Sequence, residues 1–298
     1  MASLFTLTER WQSEVPDFIS LSAKSPAIFR VLRLLSGTVV IEASWENKIT
    51  LVQENYLNGT HVESQKDFRS FLDIVFEDGV PEDVELIDIS HRLNKRDRAF
   101  YSGLMADVTL LLSAIENERN TESFLLIYRL LERLSVALPL IYTSREKSFR
   151  EANKFLQAMM GENGAGSDLG ILDRFLSQYG ANNSTFQNLT IEFDVFAPQE
   201  EMVKSIISQV NSCLSGQVQD MDVIKERSRI VVPYSSMSQF IANLRHRCFH
   251  DQAGRHNFEL SKIGGSEVLF ACFVKKLLIW FSYILVDIVR WEIERVNK

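Results

Sequence analysis

From about residue 98 onward the apolar positions recur at intervals of three and four, the spacing that stacks side chains along one face of an α-helix. It predicts two long amphipathic helices, 99–117 and 121–144. In the second, Leu125, Tyr128, Leu131, Glu132, Leu134, Ser135 and Leu138 track the faces, and Pro139 predicts a kink near its end. Helix continues over 145–160 until the glycines of GENGAGSDLG impose a flexible connection. A further helix over 168–179 is expected to be capped by Gly180-Ala181-Asn182-Asn183.

The pattern then changes. LTIEFDVF, residues 189–196, alternates apolar and polar as a half-buried strand does. Pro198 opens a helix to about residue 214, 230–232 reads as a short strand, and 258–261 as a short extended piece. The final helix, 267–296, is apolar nearly all round between Val268 and Val289, which predicts that it is sandwiched between helices or between subunits.

Residues 1–97 read differently, as a small α+β unit with a recognition or regulatory character. It comprises a helix over 26–35, strands over 38–43 and 49–56 joined through SWENK, a helix over 63–76 and a strand over 84–89 entered through Val80-Pro81. The fold class expected is therefore mainly α, with a helical domain over 98–298 behind the α+β unit 1–97. No internal repeat is visible.

Composition narrows the function classes. With 46% hydrophobic residues in 298, the chain has enough apolar material for a core. A net charge of −7 gives no global attraction to nucleic acid or an anionic membrane, so either partner requires a local basic patch. One exists: Lys225, Arg227, Arg229, Arg245, Arg247 and Arg255 stand against Glu226 and Asp251 between residues 225 and 256. Cys213, Cys248 and Cys272 are odd in number, widely spaced and without a CxxC, which suits buried thiols in a reducing compartment. The N-terminus lacks a basic start and a long apolar run, so no signal peptide is expected. Lys275 and Lys276 interrupt the longest membrane candidate. These features predict a soluble, cytoplasmic protein without a membrane partner.

Chemistry concentrates in SQFIANLRHRCFHDQAGRH, residues 238–256, which holds three of the five histidines. On a helix at about 100° per residue, Met237, Phe240, Ile241, Leu244 and Cys248 share one apolar stripe while His246 and His250 fall roughly opposite it. That phase removes them from the core, and leaves solvated surface histidines as the bland alternative. The glycines at 161, 164, 166 and 170 follow a helix and lack Gly-Lys-Ser/Thr, which excludes a phosphate loop. Glu42 with Glu46-Asn47-Lys48 would resemble a metal nuclease set, but the latter three fall in a turn. His246 and His250 have zinc spacing, with Asp251 or His256 as a third ligand. Arg247 stands where a metalloprotease helix needs its glutamate, and Arg245 and Arg247 oppose a dication. What remains is phosphate chemistry: arginine offers a permanently charged fork for a phosphodiester, and histidine titrates near neutrality.

Arg245-His246-Arg247-Cys248-Phe249-His250 resembles the signature of the HEPN superfamily: an arginine, a polar residue, a few variable residues, then histidine. The family places it near the start of, or just before, the last long helix of an all-helical bundle, with an earlier helix, here 122–142, packed alongside. The resemblance covers about residues 98–298, and the strand-bearing segment 168–233 would be an insertion. It implies a metal-independent endoribonuclease, free of cofactors, acting as a homodimer whose two motifs meet across a groove. Arg245 would hold and polarise the scissile phosphate. His250 would be general base or acid, leaving a cyclic phosphate, and His246 would orient His250 or the phosphate. Arg247, Arg255 and His256 would contact the RNA backbone. Many relatives are toxins or antiviral-defence effectors held silent by a regulatory or antitoxin protein. Others keep the fold alone, so the alternative is a catalytically inactive helical subunit that assembles with a partner in a defence complex.

Overall fold

The computed structural model describes residues 5–11, 19–22, 25–43, 48–62, 76, 89, 91–93, 95, 97–146, 148–160, 168–182, 184–214, 220–224, 227–250 and 257–296. The chain is mainly helical with small sheets. Its contacts divide it into two compact units, residues 1–118 with 281–298, and residues 119–280. The expected boundary near residue 97 falls inside the first of these. The expected helix 63–76 and strand 84–89, the SWENK turn and most of the glycine-rich connection lie outside the described residues.

In the first unit, β1 (Phe5–Glu9), β2 (Val39–Ala43) and β3 (Lys48–Leu51) form an antiparallel sheet in that order. Val39, Ile41 and Ala43 are buried in alternation, as a period of two requires. α1 (Ala27–Leu35) leads into β2 through Gly37, whose φ of +70° favours glycine and whose missing Cβ would stand 2.5 Å from Val62. Arg33 of α1 is 1% exposed and binds both carboxylate oxygens of Glu9 on β1 at 2.8 and 2.5 Å. Such a fork joins helix to sheet with a direction that apolar packing lacks. A two-stranded ribbon, β4 (Glu54–Asn55) with β5 (Thr60–His61), follows. α2 (Arg98–Glu116) packs against α1. Among the described residues α2 is the one helix long and apolar enough to cross a membrane, and more than half of that stretch is buried inside the protein, as in a core helix. Within the same unit the Tyr101 hydroxyl donates to Glu292 at 3.0 Å and Ser282 to the Tyr56 carbonyl at 2.6 Å.

The second unit opens with α3 (Asn120–Thr143), which runs through Pro139. The Thr143 hydroxyl donates to the Pro139 carbonyl at 2.6 Å. α4 (Phe149–Met160) is a separate helix, not a direct continuation. α5 (Asp168–Asn182) passes the expected cap at Gly180, where a Cβ would meet nothing closer than Ser235 at 3.8 Å. A glycine inside a helix is tolerated when the flanking turns pack; here Phe175 and Tyr179 stack at 5.7 Å with Tyr142 set edge-on to both. α6 (Ser184–Gln187) is a single turn.

LTIEFDVF yields β6 (Thr190–Asp194), then come α7 (Glu200–Leu214), β7 (Asp220–Ile224) and β8 (Arg227–Pro233). The antiparallel order is β6-β8-β7, so the expected three-residue strand is the central one. This sheet takes part in the core of the second unit: Phe193 of β6 stacks on Phe240 of the helix that carries the candidate site. That helix, α8 (Met237–Phe249), is followed by a 3-10 turn at Leu260–Lys262 where an extended piece was expected, then α9 (Ser266–Ala271) and α10 (Val274–Val296). The expected single last helix is thus interrupted at Cys272 and Phe273. Leu277, Leu278, Trp280, Phe281, Leu285 and Ile288 are fully or almost fully buried, so the all-round apolar surface is consumed within the chain.

Candidate functional site

α8 forms where Met237, Phe240, Ile241 and Leu244 recur at helical spacing, and all four are buried. Cys248, expected on the same stripe, is half-buried. The first turn of the helix is tied to α5 through Asp173. Its two carboxylate oxygens accept from Ser238 at 3.0 Å and from Gln239 at 2.6 Å. Phe240 lies between Phe193 at 5.6 Å and Phe273 at 5.7 Å. The apolar face and the first turn fix the rotation of the helix, and that rotation directs Arg245 and His246 to its other side.

The sequence places His250 on the helix face beside His246; the structure corrects this. The helix ends at Phe249, and His250 takes an extended backbone at φ −120°, ψ 114°. Its N–H still donates to the His246 carbonyl at 3.1 Å. The chain returns after residue 256, and the Phe258 N–H donates to the Arg247 carbonyl at 3.1 Å, satisfying one of the acceptors that a helix end leaves open. His246 and Arg247 stand in the last turn, where positive charge suits the helix dipole.

Freed from helical phase, the exposed His250 turns back on Arg245. The two meet through Arg245 Nη1 and His250 Nε2 at 2.9 Å. A guanidinium only donates, so Nε2 is the acceptor and the ring proton of the neutral imidazole sits on Nδ1. The other side of Arg245 is held by an aromatic face, its Cζ lying 4.6 Å from the ring centroid of Tyr128 on α3. The Tyr128 ring is buried, and its hydroxyl is hydrogen-bonded to Glu132, one turn further along α3. Burial pushes the Tyr128 phenol up, Arg245 pulls against it, and Glu132 adds to the rise.

His246 is half-buried, with its ring 5.5 Å from that of His250. Burial lowers its pKa first, then the charge of Arg245 and the neighbouring His250, with Arg247 adding less. A hydrogen bond to the Ala242 carbonyl opposes them. His246 is thereby held toward its neutral form. Arg247 is half-buried, and its Nη1 is buried without a hydrogen-bond partner among the described residues. Arg255, His256 and Asp251 lie outside the described residues.

The structure therefore brings together Arg245, His246 and His250 and adds Tyr128 and Glu132 to them. The signal for the added pair was their i, i+4 spacing on a helix, and nothing in the sequence connects it to residue 245. Among the described residues no three of His, Cys, Asp and Glu converge as a metal would need. Two surface concavities are defined elsewhere. One, of about 480 Å³, lies between the end of α3 and α4 around Leu140, Phe149 and Leu156. The other, of about 400 Å³, lies beside β3. The Arg245–His250 pair is in neither; it stands at the surface as a permanent cation in contact with a titratable base. A scan of family models and searches of curated proteins and solved structures find no match to this chain.

Proposed function

We propose that the chain is a metal-independent endoribonuclease of HEPN type, acting through Arg245 and His250 on an RNA phosphodiester. The observation that carries the reading is the 2.9 Å contact between Arg245 Nη1 and His250 Nε2 at an exposed helix end. Five residues apart in sequence, the two reach one another because the helix stops between them. In the proposed reaction Arg245 donates to the scissile phosphate and offsets the charge that accumulates on its oxygens. His250 removes the proton of the ribose 2′-hydroxyl, O2′ bonds to phosphorus, and the phosphorus–O5′ bond breaks. The imidazolium gives its proton to the departing 5′-oxygen, leaving a 2′,3′-cyclic phosphate and a 5′-hydroxyl. His246 beside them, held toward its neutral form by burial and by the charge of Arg245, orients His250 or the phosphate. Two copies of the chain bring two such pairs to one groove, and a regulatory or antitoxin protein that covers it silences the enzyme, in the manner of a toxin or defence effector.

The alternative, a catalytically silent assembly subunit, would use the apolar last helix as its partner contact, and the large residues of that helix are buried in the chain itself, which weighs against that contact. The test is incubation of the purified protein with RNA in excess chelator, beside Arg245→Ala and His250→Ala. The expected result is metal-free cleavage with cyclic-phosphate ends, reduced by about 10²-fold or more in each variant. Absence of cleavage by the parent protein, or equal cleavage by the variants, refutes it.

A further inference from the structure

We infer that Tyr128 is the positioning residue of the site: its ring holds the Arg245 guanidinium on Nε2 of His250 and so fixes the tautomer of the resting base. Three observations meet here. Arg245 lies 4.6 Å over the Tyr128 ring and 2.9 Å from Nε2. Among the described residues the ring and the imidazole are the groups in contact with the Arg245 guanidinium, and no carboxylate there pairs with it. The ring itself is fixed, buried at mid-length in a 24-residue helix with its hydroxyl tied to Glu132.

A long side chain at a surface surrenders rotamer freedom when it is ordered, and attraction to a ring face is the compensation available to Arg245. The consequence reaches His250. With Nε2 accepting from Arg245, the imidazole proton resides on Nδ1, the tautomer a free histidine side chain disfavours in water. The lone pair a general base needs is covered until an anion draws the guanidinium toward itself. A phosphate arriving at Arg245 thus uncovers the base that acts on it, which couples binding to activation. The tautomer itself is independent of RNA cleavage, whereas its catalytic meaning rests on the ribonuclease reading above.

Imidazole ¹H–¹⁵N correlation spectra of the ¹⁵N-labelled full chain above pH 7.5, with His250 assigned by loss of its signals in His250→Gln, test the inference. The Nδ1–H pattern is expected in the parent protein and in Tyr128→Phe, which keeps the ring face. Tyr128→Leu should shift His250 toward Nε2–H. If that variant fails to fold, Tyr128→pentafluorophenylalanine keeps the ring shape and reverses its quadrupole, and should give the same shift. Titration of the parent protein with inorganic phosphate should move the Nε2 resonance away from its hydrogen-bonded position. An Nε2–H pattern in the parent, or an Nδ1–H pattern that survives loss of the ring face, overturns the inference. Absence of RNA cleavage with the Nδ1–H pattern intact would remove the ribonuclease reading and leave the positioning role standing.

Discussion

Phe240 lies on the face of α8 opposite the site and is fully buried, stacked on Phe193 at 5.6 Å and set edge-on to Phe273 at 5.7 Å. Replacing it with leucine keeps most of the apolar volume and removes both ring contacts. Two aromatic pairs at about 0.5–1.5 kcal/mol each give a loss of about 1–3 kcal/mol. Phe240→Ala adds a cavity and costs about 3–5 kcal/mol. Because the chain forms two compact units, a single global unfolding curve mixes their responses. Amide hydrogen exchange in peptides spanning 237–249 reads the helix directly. A loss of about 2 kcal/mol accelerates exchange there about 30-fold in the leucine variant, and a loss of about 4 kcal/mol about 10³-fold in the alanine variant. Peptides from 27–43 in the first unit should keep their protection. Unchanged exchange in 237–249 of the alanine variant would refute the argument that this aromatic group anchors the site helix.

Two further predictions concern charge. Glu9→Ala leaves the Arg33 guanidinium, 1% exposed, without the carboxylate it forks onto, and should destabilise the first unit by about 3 kcal/mol, accelerating amide exchange in peptides 27–43 by about 10²-fold; an acceleration of under about tenfold would count against it. His246 is held below its ordinary pKa by burial and then by Arg245 and His250, so the unfolded chain binds more protons there than the folded one. Its contribution is therefore fully present above the unfolded value of about 6.5 and is lost as pH falls through the folded value. His246→Asn should flatten the decline of stability on acidification below about pH 6.5, measured as amide-exchange protection of peptides 237–249 corrected for the intrinsic pH dependence of exchange, and an identical decline in both proteins would show that His246 does not carry it.

Much of the helical framework is legible in the sequence because its cause is local. α2 and α3 start and stop within a residue of the expected 99–117 and 121–144, since apolar spacing decides which residues can share a face. The stripe Met237, Phe240, Ile241 and Leu244 is likewise buried as its phase requires. The departures have tertiary causes. Gly180 does not end α5, whose preceding turn packs through Phe175 and Tyr179 against Tyr142 of α3. The strand near residue 230 is seven residues long because it has partners on both edges. Neither fact is contained in a window of ten residues.

The site divides along the same line. Arg245 and His250 were visible as residue types at a suggestive spacing, and the helix phase took His246 off the core. The sequence by itself determined those identities, the apolar stripe beneath them and the local excess of positive charge, because each depends on neighbours a few positions away. It could not decide that the helix stops before His250, that the imidazole then turns back to Arg245, or that Tyr128, more than a hundred positions earlier, lies under the guanidinium. Those are consequences of how α3 and α8 pack, and packing is settled by the whole core of the second unit.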